Sequence, residues 1–168
     1  MEIRVLTAAD SAAYREQRLR ALKEDPEAFG DSYAQSVQRP IEWFAERIRS
    51  KVNGSFTLGA FDQDQLVGTV GFARALGDKF SHKGDIWGMY VALEFRRRGI
   101  GRALMVEAIA RARSIAELDH ISLGVMTTQT IARQLYTSLG FVPWGTETNA
   151  VRVSDRFIDE EFMILKLS

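Results

Sequence analysis

The sequence contains no cysteine and no excess of either charge. Without thiols the chain has no route to disulfides, iron–sulfur clusters, thiolate–zinc sites or a cysteine nucleophile. Its 22 Lys and Arg residues balance 22 Asp and Glu residues, which gives a formal net charge of zero. Proteins that bind nucleic acid or anionic membranes usually carry a clear excess of positive charge, so neither is expected as a partner.

Long apolar runs and low-complexity tracts are also missing. No run approaches the roughly 18 residues that a membrane-spanning helix needs, and the N-terminal residues lack the basic and then apolar regions of a secretion signal. We therefore expect a cytoplasmic protein with no membrane partner. The 168 residues include three prolines, 46% apolar residues and no Pro/Gly/Ser linker, which predicts one domain over residues 1–168.

What is present is a succession of apolar patterns that predicts a sheet flanked by helices. Alternating or continuous apolar stretches predict strands at about residues 3–5, 55–60, 66–72, 86–91, 121–126, 142–153 and 157–167. Apolar residues at helical spacing predict helices that end near residue 23, cover 41–48, follow the turn at 96–101 as far as 115, and cover about 129–139. The strand, helix, strand order over 86–126 favours parallel strands with a right-handed crossover. The fold class is therefore α/β, or mixed α+β.

Several local features carry further interpretations. Residues 27–39 have mixed polarity and are interpreted as a loop or a broken helix. The strand over 86–91 is apolar at nearly every position, which is typical of a strand covered on both faces. Gly140 is placed as a left-handed cap at the end of a helix. The acidic residues of 62–64 and 159–161 are interpreted as solvated turns and strand ends.

A glycine-rich turn lies between the strand over 86–91 and the following helix, with the sequence Arg96-Arg97-Arg98-Gly99-Ile100-Gly101-Arg102. Unpaired backbone amides and the positive end of a helix dipole converge at such a place, so it favours anions. Glycine leaves room for a phosphate to approach the amides, and the arginines add positive charge. The dinucleotide fingerprint and the P-loop are both excluded by the spacing. The alternative is a tight turn with an ordinary solvated arginine face.

The strand over 86–91 followed by Arg96-x-x-Gly99-x-Gly101 resembles the acetyl-coenzyme A signature of the GNAT superfamily of N-acetyltransferases, Arg/Gln-x-x-Gly-x-Gly/Ala. The next motif of that family, Asn-x-x-Ala-x-x-x-Tyr-x-x-x-Gly-Phe, is similar to Gln129-x-x-Ala132-x-x-Leu135-Tyr136-x-x-x-Gly140-Phe141, with glutamine where asparagine is common. Both occur in the order of the family, and the resemblance covers nearly the whole chain. It implies a GNAT-like fold, a mixed and mostly antiparallel sheet of about seven strands with about four helices.

The resemblance also implies acetyl-coenzyme A as the cofactor and acyl donor. In the family the pyrophosphate lies on the amides of the glycine turn, and the pantetheine arm runs along the preceding strand, where backbone groups of Met89 and Val91 would pair with it. The cofactor-binding residues implied in this way are Met89, Tyr90, Val91, Arg96, Arg97, Arg98, Gly99, Ile100, Gly101, Arg102, Gln129 and Tyr136.

Tyr136 is the catalytic residue that the resemblance implies, because the tyrosine of the family protonates the departing coenzyme A thiolate. A phenol of pKa about 10 stays protonated at neutral pH and can donate to a developing thiolate. The alternative is a structural role, since Tyr136 follows Ala132 and Leu135 in a stripe typical of a core.

The acceptor side is less defined. Asp85 and Glu27 are candidates for the base that deprotonates the acceptor amine, and either could be a merely solvated carboxylate. Trp87, Phe29 and Tyr33 are candidates for lining an acceptor pocket, with Trp87 alternatively a core residue. His82 and His120 are far apart in sequence, so neither a metal site nor a histidine triad is expected.

The favoured function is an N-acetyltransferase that moves the acetyl group of acetyl-coenzyme A to a primary amine of a small molecule or protein by direct attack. A noncatalytic acyl-coenzyme A-binding regulatory module is the alternative. A nucleic-acid binder that uses the arginine turn is a third reading, and it would show steep salt dependence. The amine acceptor and the oligomeric state stay open, with a homodimer among the options.

Overall fold

A computed structural model describes residues 1–167 of the chain. Its strands are β1 (Glu2–Val5), β2 (Phe56–Asp62), β3 (Gln65–Arg74), β4 (Lys83–Val91), β5 (His120–Met126), β6 (Val142–Val153) and β7 (Arg156–Lys166). Its α-helices are α1 (Ser11–Glu24), α2 (Tyr33–Ser36), α3 (Ile41–Ile48), α4 (Ile100–Arg113) and α5 (Thr130–Ser138). Short 3-10 turns cover Ala8–Asp10 and Leu93–Phe95. Within these residues no helix is long and apolar enough to cross a membrane.

The seven strands form one sheet in the order β1-β2-β3-β4-β5-β7-β6. Every neighbouring pair is antiparallel except β4 and β5, which are parallel, as the strand, helix, strand pattern predicts. The predicted mixed, mostly antiparallel sheet is therefore confirmed. The helices number five rather than about four, because the segment interpreted as a loop or broken helix contains the single turn α2.

The main core lies between α4 and one face of the sheet. Leu104, Ala108 and Ala112 of α4 are fully buried, as their spacing predicts, and they belong to one apolar cluster with Val70 and Phe72 of β3. A second cluster joins α1 and α3 to the other face through Tyr14, Phe44 and Ile48, among others. Both faces of the sheet are thus covered around β2 and β3, next to β4.

β4 and β5 part soon after they pair. Their register covers only Lys83 to Asp85 of β4 and His120 to Ser122 of β5, although β4 continues to Val91 and β5 to Met126. Beyond that point a wedge-shaped gap separates the two strands. The prediction that β4 is covered on both faces is therefore wrong in its last half, where Trp87, Gly88 and Met89 are only half-buried.

The acidic run Asp159 to Glu161 lies in the middle of β7 rather than in a turn or at a strand end. Glu160 is registered opposite Met126, and Glu161 is registered opposite Val125. Glu161 forms a bidentate ion pair with Arg133 of α5, with distances of 2.8 and 3.0 Å. The interpretation as solvated termini is wrong because β7 is inserted between β5 and β6, so its centre is flanked on both sides.

The N-terminus of the first helical segment is closed by Asp10. Its carboxylate accepts hydrogen bonds from the Thr7 amide at 2.8 Å and from the Arg4 guanidinium at 2.7 and 2.9 Å. The hydrogen bond from Arg4 lowers the pKa of Asp10 to about 2. The spacing Thr7-x-x-Asp10 is one that satisfies free amides at a helix start. The bonds from Arg4 also join β1 to the start of the helical segment.

Replacing Asp10 with asparagine should destabilise the protein in a pH-dependent way. Because the folded-state pKa of Asp10 is depressed, its contribution is present above its unfolded pKa of about 4 and is lost as pH falls toward 2. We expect Asp10→Asn to lower the free energy of unfolding by about 1 kcal/mol at pH 7. Urea titrations of both proteins at several pH values measure this difference, and a difference that persists at pH 2 contradicts it.

A second prediction concerns the α4 core. Leu104→Ala leaves a cavity in a fully buried position, and we expect it to lower the free energy of unfolding by about 2–5 kcal/mol. Val106→Ala on the same helix is the matched control. Val106 is 49% exposed, so its effect should stay within about 0.5 kcal/mol. Equal effects of the two variants in urea titrations would contradict this packing of α4.

Candidate active site

A cavity of about 660 Å³ fills the gap between β4 and β5. Its walls are the half of β4 beyond the last paired residue, the N-terminal turn of α4, the centre of β5, one face of α5 and the loop after α1. Of the predicted site residues, those lining it are Met89, Tyr90, Val91, Arg96, Arg97, Gly99, Ile100, Gly101, Arg102, Gln129 and Tyr136. Of the predicted cofactor-binding residues, only Arg98 is not part of the lining, and Tyr33, predicted for the acceptor side, does not line it either.

The glycine turn has the backbone geometry expected of an anion cradle. Gly99 is the N-cap residue of α4 with a φ of +78°, and Arg97 has a φ of +63°. Left-handed residues in such a turn direct successive amides to one side. Because Gly101 stands against β4, an added Cβ would lie only 2.9 Å from the Met89 methyl carbon. The first turn of α4 can therefore lie close to the strand, with its amides at the mouth of the cavity.

The four arginines of the turn do not act alike. Arg96 donates to Asp25 at 2.5 Å and to the Val91 carbonyl at 2.8 Å, so it joins the turn to the loop after α1. Arg98 lies over the Phe95 ring, 5.0 Å from its centroid, and Arg102 donates to the Ser138 hydroxyl at 3.0 Å. The predicted phosphate-binding cluster is thus partly structural. Arg97 and Arg102 are the exposed arginines that line the cavity.

The end of β4 presents its backbone to the cavity. A register shift between β3 and β4 occurs next to Gly88, whose φ is +63°. Met89 and Val91 follow it and face the gap rather than a β5 partner. The Val91 carbonyl already accepts the Arg96 bond, so this predicted backbone contact is shared with an internal partner.

Tyr136 lies on α5 at the inner end of the cavity. It is only 6% exposed, and its ring is 6.0 Å from the Phe141 ring. Burial raises the pKa of the Tyr136 phenol above its ordinary value, so the hydroxyl keeps its proton at neutral pH. Tyr136 belongs to the main apolar cluster and also lines the cavity, so its position is compatible with both the structural and the catalytic interpretation.

The other α5 residues of the predicted motif share this face. Gln129 is the N-cap residue of α5, and Ala132 and Leu135 lie on the cavity wall. Gly140, with a φ of +94°, ends the helix as predicted. The Gly-Phe pair then turns the chain back, so that the Phe141 amide donates to the Tyr136 carbonyl at 3.1 Å.

The two predicted bases occupy different surroundings. Glu27 forms an ion pair with Arg156 at 3.1 Å. Asp85 lies at the last β4/β5 pair and lines a second cavity of about 600 Å³. Burial raises the pKa of Asp85. Trp87 borders both cavities, and so it is not simply a core residue.

Several residues around the cavity were not predicted. Asp25, Ala28 and the β5 residues Leu123, Gly124 and Val125 all contribute to the lining, as does Phe29, which was predicted for the acceptor side. The carboxyl group of Glu160 lies against Gly124. A glycine in an otherwise apolar buried strand is the one sequence signal that marks this place, since it suggests close approach of another group.

The histidines come together although they are distant in sequence. The ring centroids of His82 and His120 are 5.6 Å apart, and His120 Nδ1 is 2.8 Å from Asp119. In the part of the chain that the structure describes, no three His, Cys, Asp or Glu side chains are arranged to hold a metal ion.

Comparisons with known proteins agree on one class. The sequence profile of the acetyltransferase (GNAT) family matches residues 17–141. A sequence search of curated proteins finds no match. The match to the family profile covers most of the chain and includes the glycine turn and the α5 motif. The fold and the site define an acyltransferase, and the chain belongs to the GNAT family of acetyltransferases.

Solved structures share the whole fold. A GNAT-family acetyltransferase of Streptococcus pneumoniae aligns with a TM-score of 0.85 at 23% identity over 99% of both chains. The Salmonella typhimurium protein YncA, solved with its cofactor acetyl-CoA, aligns at 0.83 with 24% identity over 100% of this chain and 94% of that one. A ribosomal-protein-alanine N-acetyltransferase of Brucella melitensis aligns at 0.79 with 25% identity over 99% of both chains.

The Arg96–Asp25 bridge should contribute to stability without any ligand. We expect Arg96→Gln and Asp25→Asn each to lower the free energy of unfolding, with a coupling energy of about 1 kcal/mol in a double-mutant cycle. Urea titrations of the four proteins measure it. A coupling energy near zero would show that the bridge does not stabilise the free protein.

Proposed function

We propose that the protein is an N-acetyltransferase that transfers the acetyl group of acetyl-coenzyme A to a primary amine by direct attack. The observation that carries the proposal is the cavity between β4 and β5, which runs from the amides of α4 to the Tyr136 side chain. The Salmonella relative that binds acetyl-CoA and the Brucella relative that acetylates an alanine amine support the donor and the reaction type.

The residues present fit an extended donor with phosphates at one end. The amides of Gly99 to Arg102 and the side chains of Arg97 and Arg102 would hold the pyrophosphate. The exposed backbone of β4 would pair with the amides of the pantetheine arm, since β5 leaves those strand groups without a ladder partner. Acetyl-coenzyme A would supply the activated thioester when bound, and the protein would supply its orientation.

Tyr136 would act as the acid for the leaving thiolate. In the overall reaction a protonated amine loses two protons, the carbon–nitrogen bond forms and the carbon–sulfur bond breaks. One proton goes to the sulfur through the Tyr136 hydroxyl, which recovers it from the acylated nitrogen. The other goes to solvent through a base. With no cysteine in the sequence, no cysteinyl acyl-enzyme can form, which favours direct attack of the amine on the thioester.

A panel of amines tests the function. Purified protein is incubated with acetyl-coenzyme A and, in turn, an alanine-initiated peptide, a polyamine, an aminoglycoside and free amino acids, and released thiol is measured with a chromogenic reagent. The absence of protein thiols removes any background from the enzyme itself. We expect thiol release with at least one class. Tight coenzyme A binding by calorimetry without release from any amine would instead favour the noncatalytic module.

Tyr136→Phe tests the acid. With the best amine of the panel, we expect kcat to fall about 10²-fold while KM for acetyl-coenzyme A changes little, because only the proton donor is removed. The thermal transition should hardly move, since the ring still fills its place beside Phe141. Tyr14→Phe, in the second apolar cluster, is the matched control and should keep full activity. Unchanged kcat in Tyr136→Phe contradicts the assignment.

A further inference from the structure

We propose that the Glu160 carboxylate binds the ammonium group of the acceptor and takes its proton before the attack. This proposal rests on the proposed function and names a residue for its missing step. It is carried by a contact between β7 and β5 at the wall of the cavity. Neither Asp85 nor Glu27, the candidates from sequence, has such a contact.

The contact is the position of Glu160 over Gly124. A Cβ built on Gly124 would lie 2.0 Å from Glu160 Oε1 and 2.8 Å from its carboxyl carbon. The carboxylate therefore occupies the space that any other residue at position 124 would fill with its own side chain. Gly124 itself lines the cavity. Glu160, on the next strand, thus lies against a residue of the cavity wall, and it does so only because position 124 has no side chain.

Glu160 lies on the face of the sheet opposite α4. Leu123 and Val125 of β5 point into the core with α4, so Gly124 between them points the other way. The neighbouring Glu161 points to α5, where Arg133 binds it. A donor that enters from the α4 side and an acceptor that approaches from the Glu160 side would meet in the gap. This is the arrangement that direct transfer between two bound substrates requires.

The surroundings of Glu160 suit a cation. Phe162, registered opposite Gly124, and Trp144 of β6 form an aromatic pair with ring centroids 5.6 Å apart. Trp144 is 64% exposed, so the face is open to an acceptor. Aromatic faces attract ammonium groups and remove water from a neighbouring carboxylate. An amine held there would have a charged partner in Glu160 and a ring surface beside it.

The charges that face Glu160 are few. Glu147 of β6 is registered opposite it, and the β5 residues packed against it, Gly124 and Met126, are uncharged. No cation of residues 1–167 is paired with it in the ion pairs found there. Burial, and then the repulsion by Glu147, raise the pKa of Glu160. A carboxylate with a raised pKa is a better proton acceptor.

The candidates from sequence are less suited to the step. Glu27 is neutralised by Arg156, and Asp85 opens to the second cavity on the far side of Trp87. In the proposed step the ammonium nitrogen gives one proton to Glu160, which passes it to solvent after transfer. The free nitrogen lone pair then attacks the thioester carbon. The carbon–sulfur bond breaks, and the Tyr136 hydroxyl gives a proton to the departing sulfur.

The test compares Glu160→Gln with wild type across pH, using the panel amine that gives the fastest thiol release. We expect kcat/KM for the amine to fall about 10²-fold at pH 7, with KM for acetyl-coenzyme A unchanged. The deficit should shrink as pH approaches the pKa of the amine used, about 8 for a peptide α-amino group and about 10 for an alkyl amine, because the free amine then forms without Glu160. Glu147→Gln should shift the acid limb of the wild-type profile to lower pH, since it removes the repulsion that raises the pKa of Glu160.

Asp64→Asn, in the β2–β3 turn, is the matched loss of one carboxylate and should leave the profile unchanged. A Glu160→Gln variant that keeps at least a third of wild-type kcat/KM at pH 7, or a deficit independent of pH, overturns the proposal.

If no amine releases thiol, the proposed function fails, and Glu160 is judged separately by carbon-13 NMR of its carboxyl group with ethylammonium as the probe. A resonance that shifts in wild type then supports the ammonium site, and one that does not shift overturns it.

Discussion

The structure depends on the early parting of two parallel strands. β4 and β5 share three register pairs and then diverge, and everything assigned to the site lies in or around that gap. Parallel neighbours need a crossover, and here the crossover helix α4 begins beside Met89 and Val91, at the unpaired end of β4. A helix N-terminus, a row of open strand amides and a buried phenol are thereby brought to one cavity. No single residue creates this arrangement.

Charge is used locally although the chain is neutral overall. Of the arginines in the glycine turn, Arg96 donates hydrogen bonds to Asp25 and to the Val91 carbonyl. Part of the cluster therefore holds the loop after α1 in place. The acidic side chains of β7 show the same division. Glu161 forms an ion pair with Arg133, whereas Glu160 lies opposite Glu147, and burial and this neighbour raise its pKa. Adjacent residues of like type thus have opposite environments, because successive side chains of a strand face opposite sides.

Much of the fold follows from local patterns. The α4 stripe, the hairpin of β2 and β3 and the Gly140 cap depend on residues close together in sequence, and the structure has them where the patterns predict. What local patterns miss are contacts between distant segments. The Arg96–Asp25 pair spans 71 positions, and the insertion of β7 between β5 and β6 decides the setting of Glu160. The face of β4 that looks apolar enough for a core is instead half-open, since an apolar strand can line a cavity as well as a core.

The short β4/β5 register has a consequence for how the molecule holds together. The sheet consists of a four-strand part and a three-strand part that share little backbone hydrogen bonding across the seam. Their union rests on side chains, because the main apolar cluster contains Val70 and Phe72 from one part and Leu123 and Met163 from the other. Amide exchange at the seam should therefore report on the packing of α4 across both parts. The two parts of the sheet are therefore held together chiefly by the apolar cluster that α4 shares with both of them.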